Sequence, residues 1–313
     1  MTKIAFVFPG QGAQKIGMGQ DVAAEYPEAK KIYDDADERL GFSITEIITE
    51  GPIELLTKSE NAQPALVSTS VAILRALETY GVKADYVAGH SLGEYSALVA
   101  GGFLEASDAI YLVRKRGELM EAAVPNGAGA MAAVLGVDRE TLKTITEEVT
   151  REGDAVQLAN LNCPGQIVIS GTTAGVEKAG EKAKESGAKR VLPLAVSGPF
   201  HSSLMEPAAL AFREILAEVE ISDGNIPVVN NVDAKQTTDK AEISDKLIKQ
   251  IYSPVLWEDI VEELIKNGVD TFVEIGSGKV LAGLIKKINR DVTVLSAGDA
   301  ESVKSVAATL KGE

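Results

Sequence analysis

The 313-residue sequence has little of several residue types, and each shortage narrows its possible functions. It has one cysteine, Cys163, which excludes an internal disulfide and is typical of a reducing compartment. With only two histidines besides, no metal-ligand spacing is present. Lys and Arg number 31 against 46 Asp and Glu, and the net charge of −15 disfavours nucleic acid as a partner.

Long hydrophobic runs are also absent. No run approaches the roughly 18 apolar residues of a membrane span, and the apolar residues 4–8 are too few for the core of a signal peptide. We therefore expect a cytoplasmic protein without a membrane partner. No Gly-x-Gly-x-x-Gly or Walker loop indicates nucleotide binding.

The most informative segment is 89–93, which reads Gly-His-Ser-Leu-Gly. The short apolar segment 84–88 before it predicts a buried strand, and residues 94–100 after it predict a helix. A strand, Gly-x-Ser-x-Gly and a helix make the context of a nucleophile elbow. The two glycines permit the tight turn. We predict that Ser91 is a nucleophile and that the N–H of Leu92 faces negative charge formed beside it.

A serine hydroxyl needs a base to remove its proton. His90 is adjacent to Ser91 and is expected to point away from it. His201 remains, on a glycine- and proline-containing loop, and it follows the serine in the order typical of elbow enzymes. No Asp or Glu flanks His201, so the sequence does not identify a third catalytic group. A backbone or amide carbonyl could hold the imidazole instead.

The periodicity predicts an α/β fold with one inserted domain. Apolar segments such as 4–8 and 271–275 predict buried strands of a parallel sheet, and segment 292–295 predicts a final strand. Residues 131–196 predict strand, helix, two strands, helix and strand, the order of a ferredoxin-like α+β domain. We expect a discontinuous large catalytic α/β domain, residues 1–127 and 198–313, and a small domain, residues 128–197.

Five segments together resemble the motif set of the malonyl-CoA:acyl carrier protein transacylases. They stand in the family's order, at similar intervals, and the resemblance covers essentially the whole chain. The segments are Phe8-Pro9-Gly10-Gln11-Gly12, Gly89-His90-Ser91-Leu92-Gly93-Glu94-Tyr95, Lys115-Arg116-Gly117, Pro199-Phe200-His201 and Gln250-Ile251-Tyr252-Ser253-Pro254-Val255. The family's fold is a large α/β-hydrolase-like domain carrying a small ferredoxin-like one.

The resemblance implies a role for each residue of the site. Ser91 would be the nucleophile and His201 the base, whereas Gln11 and the Leu92 N–H would form the oxyanion hole. Arg116 would bind the free carboxylate of the malonyl group, although its neighbours Arg114 and Lys115 are expected on a solvated helix face. The backbone carbonyl of Gln250 would orient His201 in place of a carboxylate.

The implied reaction transfers malonyl from malonyl-CoA to the phosphopantetheine thiol of acyl carrier protein, through a malonyl-Ser91 ester and without a cofactor. It would supply fatty-acid biosynthesis. Phe200 is expected to crowd the carbon between the two carbonyls and to disfavour a methyl branch there. Because carrier proteins are acidic and so is this chain, docking needs a local basic patch. The candidates are Lys189, Arg190, Lys279, Lys286, Lys287 and Arg290.

Three alternatives stay open on the sequence. A serine esterase or thioesterase could use the same Ser91 and His201, but it would not need a buried Arg116. An acyltransferase for another CoA ester, such as methylmalonyl-CoA, is a second alternative. A carrier-protein-binding module without catalysis is a third, and it would form no covalent adduct at Ser91.

Overall fold

The computed structural model describes residues 2–125, 127–196 and 198–312. Two sheets and the helices around them form a mixed α/β fold. The elements are, in chain order, β1 (Ile4–Phe8), α1 (Gln20–Glu25), α2 (Pro27–Leu40), α3 (Ile44–Glu50), α4 (Ile53–Thr57), α5 (Ser59–Glu78), β2 (Tyr86–Gly89), α6 (Gly93–Ala100), α7 (Ala106–Ala122), β3 (Gly129–Leu135), α8 (Arg139–Arg151), β4 (Val156–Cys163), β5 (Gln166–Thr172), α9 (Thr173–Glu185), β6 (Arg190–Pro193), a 3₁₀ turn (Ser203–Met205), α10 (Glu206–Leu216), β7 (Val228–Val229), β8 (Gln236–Thr237), α11 (Lys240–Gln250), α12 (Trp257–Lys266), β9 (Thr271–Ile275), α13 (Val280–Ile288), β10 (Thr293–Ala297) and α14 (Ala300–Lys311).

The larger sheet has the order β10-β9-β1-β2-β7-β8, and all its pairs are parallel except β7 with β8. Phe8 at the end of β1 pairs with Gly89 at the end of β2. The loops that follow β1, β2 and β7 therefore leave the sheet at the same edge. Open parallel sheets place their sites at this carboxyl edge.

The alternation of side chains along β1 explains why this sheet is covered on both faces. Phe6 and Phe8 belong to the core cluster that contains α5 and α7. Ala5 and Val7 belong to a second cluster, formed with α12 and α13 on the other face. Successive strand residues point to opposite faces, so a continuous apolar strand needs helices on both.

The smaller sheet is antiparallel, has the order β4-β5-β3-β6 and is built entirely within residues 129–193. Helices α8 and α9 cover one of its faces. Met131, Ala159 and Val168 on the other face pack into the main core. Backbone hydrogen bonds of Val255 with Ala159 and Leu161 join this sheet to the rest of the molecule.

The strand predicted at 292–295 is present as β10 (Thr293–Ala297), the last strand among the described residues, but the sequence did not predict the helix α14 that follows it. Asp299 and Ser302 form a capping box that starts α14. Arg114 does not lie on a solvated face, since its guanidinium donates to the Glu60 carbonyl and the Asn61 side chain. Among the described residues, no helix has the length and apolar character needed to cross a membrane.

Candidate active site

The turn that carries Ser91 requires glycine on both sides. A Cβ at Gly89 would lie 2.0 Å from the backbone of Gly93, and a Cβ at Gly93 would lie 2.1 Å from the Phe8 carbonyl. Ser91 itself has a φ of 50°, in the left-handed region that non-glycine residues rarely adopt. Such strain persists where the surroundings hold it, and it is concentrated at functional sites.

Ser91, His201 and Gln250 are joined in a chain of hydrogen bonds. The Ser91 Oγ lies 2.7 Å from His201 Nε2, and His201 Nδ1 lies 2.8 Å from the backbone carbonyl of Gln250. A carbonyl only accepts, so Nδ1 carries the proton and the lone pair of Nε2 faces the serine hydroxyl. His201 also has a positive φ, of 59°. The arrangement is that of a nucleophile, a base and a group that orients the base.

Arg116 enters the same site from α7 and is 1% exposed. Its Nη2 donates to Ser91 Oγ at 3.0 Å and to Gln250 Oε1 at 3.1 Å, and its Nη1 donates to Gln63 Oε1 at 2.8 Å. Among the described residues, the buried Nε has no hydrogen-bond partner. A guanidinium beside the serine is suited to a substrate that carries a carboxylate.

The electrostatics of the site keep His201 neutral. Burial, and then the positive charge of Arg116, lower the pKa of His201 to about 3. An imidazole acts as a base only in its neutral form, which predominates above its pKa. His201 can therefore accept the serine proton far below the ordinary pKa of a histidine.

We predict that the reactivity of Ser91 stays nearly constant between about pH 5 and pH 8, where an ordinary histidine would titrate. The measurement is the rate of labelling by an uncharged fluorophosphonate, which requires no carboxylate recognition. In an Arg116→Gln variant the nearby positive charge is lost and the pKa of His201 rises. The acid limb of the pH–rate profile, where protonation of His201 slows labelling, then moves to higher pH. A wild-type limb near pH 6.5 would contradict this prediction.

The other predicted site residues line the same cavity of about 390 Å³. Phe200 is 7% exposed, and Leu92 is buried at the start of α6. No hydrogen bond of the described residues uses the Leu92 N–H. The Gln11 side chain donates to Ser59 Oγ at 3.1 Å and not to Ser91. Ser277 Oγ donates to the Ala13 carbonyl and anchors the loop that carries Gln11.

The structure separates the predicted basic residues into groups. All six are exposed. Lys189 packs against Gly136, and the Gly136 N–H donates to the Gly165 carbonyl. The Lys287 side chain donates to Gln166, the residue after Gly165. Lys279 lies about 12 Å from Lys287 along α13.

Asn231, Glu94 and Gln63 belong to the site but were not found from the sequence. Asn231 Oδ1 accepts from the Ser91 N–H at 2.7 Å, and its Nδ2 donates to the Gly89 carbonyl at 2.6 Å, which fixes the elbow backbone. The sequence signal for Asn231 was the polar pair Asn230-Asn231 directly after the short strand β7. The signal for Gln63 was a glutamine within the apolar α5. Glu94 is 1% exposed, and burial raises its pKa to about 7.

His90, the second histidine, is held apart from the serine–histidine pair. Its Nε2 lies 2.8 Å from Asn162 Oδ1 on β4, so the ring links the elbow to the smaller sheet. Cys163, the one cysteine, is buried. In the part of the chain that the structure describes, no group of three or more His, Cys, Asp or Glu side chains could hold a metal ion.

Comparison with known proteins defines the class first. An acyl transferase domain model matches residues 5–311. The chain is 56% identical, over its full 313 residues and 99% of the relative, to the malonyl CoA-acyl carrier protein transacylase of Bacillus subtilis (strain 168). It therefore belongs to the acyl transferase family and, within it, to the malonyl CoA-acyl carrier protein transacylases. The resemblance carried by the five sequence motifs is confirmed.

Solved structures agree with this assignment. The acyl carrier protein S-malonyltransferase of Vibrio cholerae is 44% identical, with a TM-score of 0.95 over 97% of this chain and 100% of that chain. A second neighbour, 42% identical with a TM-score of 0.95 over the full length of both chains, is a malonyl-transacylase in complex with a type II PKS acyl-carrier protein. Both structures share the mixed α/β fold over almost the entire chain.

Proposed function

We propose that this protein transfers the malonyl group of malonyl-CoA to the phosphopantetheine thiol of acyl carrier protein, through an ester on Ser91. The observation that carries the proposal is the buried Arg116, whose guanidinium lies 3.0 Å from the Oγ of a serine that also bonds a histidine. An esterase has no use for a buried cation at its nucleophile. An acyl group that ends in a carboxylate does need one.

In the first half-reaction, Ser91 Oγ attacks the thioester carbonyl while His201 Nε2 takes the hydroxyl proton. The Leu92 N–H and Gln11 stabilise the oxyanion. The C–S bond then breaks, and His201 returns the proton to the departing coenzyme A thiolate. The Gln250 carbonyl holds the imidazole in the required tautomer throughout.

The second half-reaction runs the same steps with another thiol. His201 takes the proton of the phosphopantetheine thiol, and the sulfur attacks the malonyl ester. The C–O bond to Ser91 breaks, and the proton passes from His201 to the serine oxygen. No electrons are exchanged with an external group, so the cycle needs no cofactor.

We further propose the division into a large α/β-hydrolase-like catalytic domain, residues 1–127 and 198–313, and a ferredoxin-like domain, residues 128–197. In support, the smaller sheet draws all its strands from one continuous segment and pairs them antiparallel. The catalytic cavity is lined by both parts, with Ser91 from one and Met131 and Asn160 from the other. A cytoplasmic location and a role in fatty-acid biosynthesis complete the proposal.

The basic group formed by Lys189, Arg190 and Lys287, with Lys286 and Arg290, is proposed as the docking surface for the acidic carrier protein. Lys189 and Lys287 flank the same turn, which contains Gly165 and Gln166. Positive charge concentrated there can offset the overall charge of −15. Lys279, at the opposite end of α13, serves as a matched surface control.

The test is the intact mass of the protein after mixing with malonyl-CoA or acetyl-CoA, with Ser91→Ala as the control. We expect a malonyl adduct on the wild type, none on the variant, and loss of the adduct when holo acyl carrier protein is added. Release of coenzyme A from either substrate without an adduct would support a hydrolase. Neither adduct nor release would support a binding module without catalysis.

Two additions to this experiment test the finer assignments. Charge reversal at Lys189 and Lys287 should slow clearance of the adduct by carrier protein more than reversal at Lys279 does. Equal effects would contradict the proposed docking surface.

Replacing Phe200 with serine should raise adduct formation from methylmalonyl-CoA relative to malonyl-CoA. No gain would show that Phe200 does not exclude the methyl branch.

A further inference from the structure

The side chain of Gln250 connects three parts of the candidate site. Its Oε1 accepts from Arg116 Nη2 at 3.1 Å. Its Nε2 donates to the Ser91 carbonyl at 3.0 Å and to Glu94 Oε2 at 2.5 Å. The residue is 0% exposed, so each of these contacts is made away from water. This side chain is separate from the backbone carbonyl that bonds His201.

Glu94 lies in the first turn of α6, directly beneath the elbow. Besides Gln250, its carboxylate accepts from the Asn231 N–H at 3.3 Å. Asn231 in turn bonds the Ser91 N–H, so both neighbours of Glu94 hold the nucleophile's backbone. In the described part of the chain, no hydrogen bond joins the Glu94 side chain to the Ser91 or His201 side chains, so its effect on the reaction must pass through other residues.

Glu94, the Ser91 carbonyl and Arg116 together determine which way the Gln250 amide points. The Glu94 oxygen and the Ser91 carbonyl both accept from the amide NH₂, so the amide oxygen faces Arg116, which only donates. In the reversed orientation the NH₂ would meet the guanidinium donors, and the oxygen would meet the carboxylate and the Ser91 carbonyl. All three contacts would then be repulsive.

Arg116 is consequently held on two sides by amide oxygens. Gln63 Oε1 accepts from Nη1, and Gln250 Oε1 accepts from Nη2. Neither amide carries charge, and together they fix the plane of the guanidinium. The buried Nε has no hydrogen-bond partner among the described residues.

We propose that Glu94 is a positioning residue for carboxylate recognition: through the Gln250 amide it orients the Arg116 guanidinium towards the malonyl carboxylate. This inference rests on the proposed malonyl transfer and adds a residue that positions Arg116 for its selectivity. Glu94 does not touch the substrate. Its effect should appear in the choice between acyl groups rather than in the chemistry of the serine.

The test compares kcat/KM for malonyl-CoA and acetyl-CoA in Glu94→Gln. In this variant the Gln250 amide loses its bond to a charged acceptor and is held only by the Ser91 carbonyl and Arg116. We expect the malonyl preference to fall by about 10- to 100-fold, the value of one hydrogen bond to a charged group. Glu274→Gln is the matched control. Glu274 is also fully buried and has its pKa raised to about 7, but it contacts the backbone N–H groups of Leu281 and Ala282 instead.

Gln250→Met provides a second and independent variant. It preserves the backbone carbonyl that orients His201 and most of the side-chain volume, but it removes the amide. It should lower the malonyl preference to a similar extent, and adding Glu94→Gln to it should have little further effect, because both act through one contact. This variant also keeps the inference testable if Glu94→Gln does not fold.

Unchanged selectivity in Glu94→Gln, or effects that add in the double variant, would overturn the proposal. An equal loss of selectivity in Glu274→Gln would do the same, since it would reflect a general effect of neutralising a buried carboxylate. The wild-type adduct reports on malonyl transfer itself, and the ratio of the two substrates in the variants reports on Glu94. Failure of one is therefore distinguishable from failure of the other.

Discussion

Arg116→Ala is expected to lower kcat/KM for malonyl-CoA by about 30-fold to several thousand-fold, while the value for acetyl-CoA changes far less. Removing one partner of a buried charge pair costs about 2–5 kcal/mol, since the other charge is left unpaired. In this variant the malonyl carboxylate would enter the cavity without the Arg116 guanidinium to pair with it. The acetyl group has no carboxylate, so its reaction loses no charge pair in this variant.

Arg114→Ala is the matched control for this experiment. Arg114 lies on the same helix, but its guanidinium bonds the Glu60 carbonyl, Asn61 and Glu118 outside the cavity. Its loss should affect stability rather than the malonyl-to-acetyl ratio. If Arg116→Ala lowered kcat/KM equally for malonyl-CoA and acetyl-CoA, the role of Arg116 would be to support the serine or the fold. The esterase alternative would then regain support.

The second large effect is expected for His201→Asn, which should slow formation of the malonyl adduct by about 10²–10⁴-fold, the usual contribution of a general base. Asparagine is chosen because His201 has a φ of 59°, a conformation that asparagine tolerates better than most residues. The backbone should therefore stay in place while the proton acceptor is lost.

The measurement is the rate of adduct formation by intact mass, with and without added imidazole. Partial restoration by imidazole is expected, because a small base can enter the space of the missing ring. Such restoration separates loss of the base from loss of the fold. Adduct formation at the wild-type rate without imidazole would show that another group activates Ser91.

The sequence predicted those parts of the site that follow from local pattern or scarcity. Ser91 is identifiable because its strand, turn and helix are continuous in the chain. His201 is identifiable because the chain has only one other histidine, which adjoins the serine. The structure brings the two side chains into contact, with 2.7 Å between Ser91 Oγ and His201 Nε2.

What the sequence did not predict depends on tertiary packing. Arg116 stands beside Arg114 and Lys115, and nothing local distinguishes the three; the rotation of α7 against α5 decides which is buried. Only the family resemblance singled it out. Glu94, Asn231 and the Gln250 side chain meet because the start of α6, the loop after β7 and the end of α11 converge at the carboxyl edge of the larger sheet. Their hydrogen bonds span long separations that no window of sequence contains.

The position of β1 in the larger sheet has a consequence for synthesis of the chain. Ile4 pairs with Thr271, so β1 has no partner on that side until β9 has left the ribosome. At about 5–20 residues per second, this interval is on the order of tens of seconds. The strands of the smaller sheet are all synthesised by residue 193, so this sheet can form before β9 is made. Since Ser277 anchors the loop that carries Gln11, the catalytic pocket reaches its final form only when the last part of the chain is made.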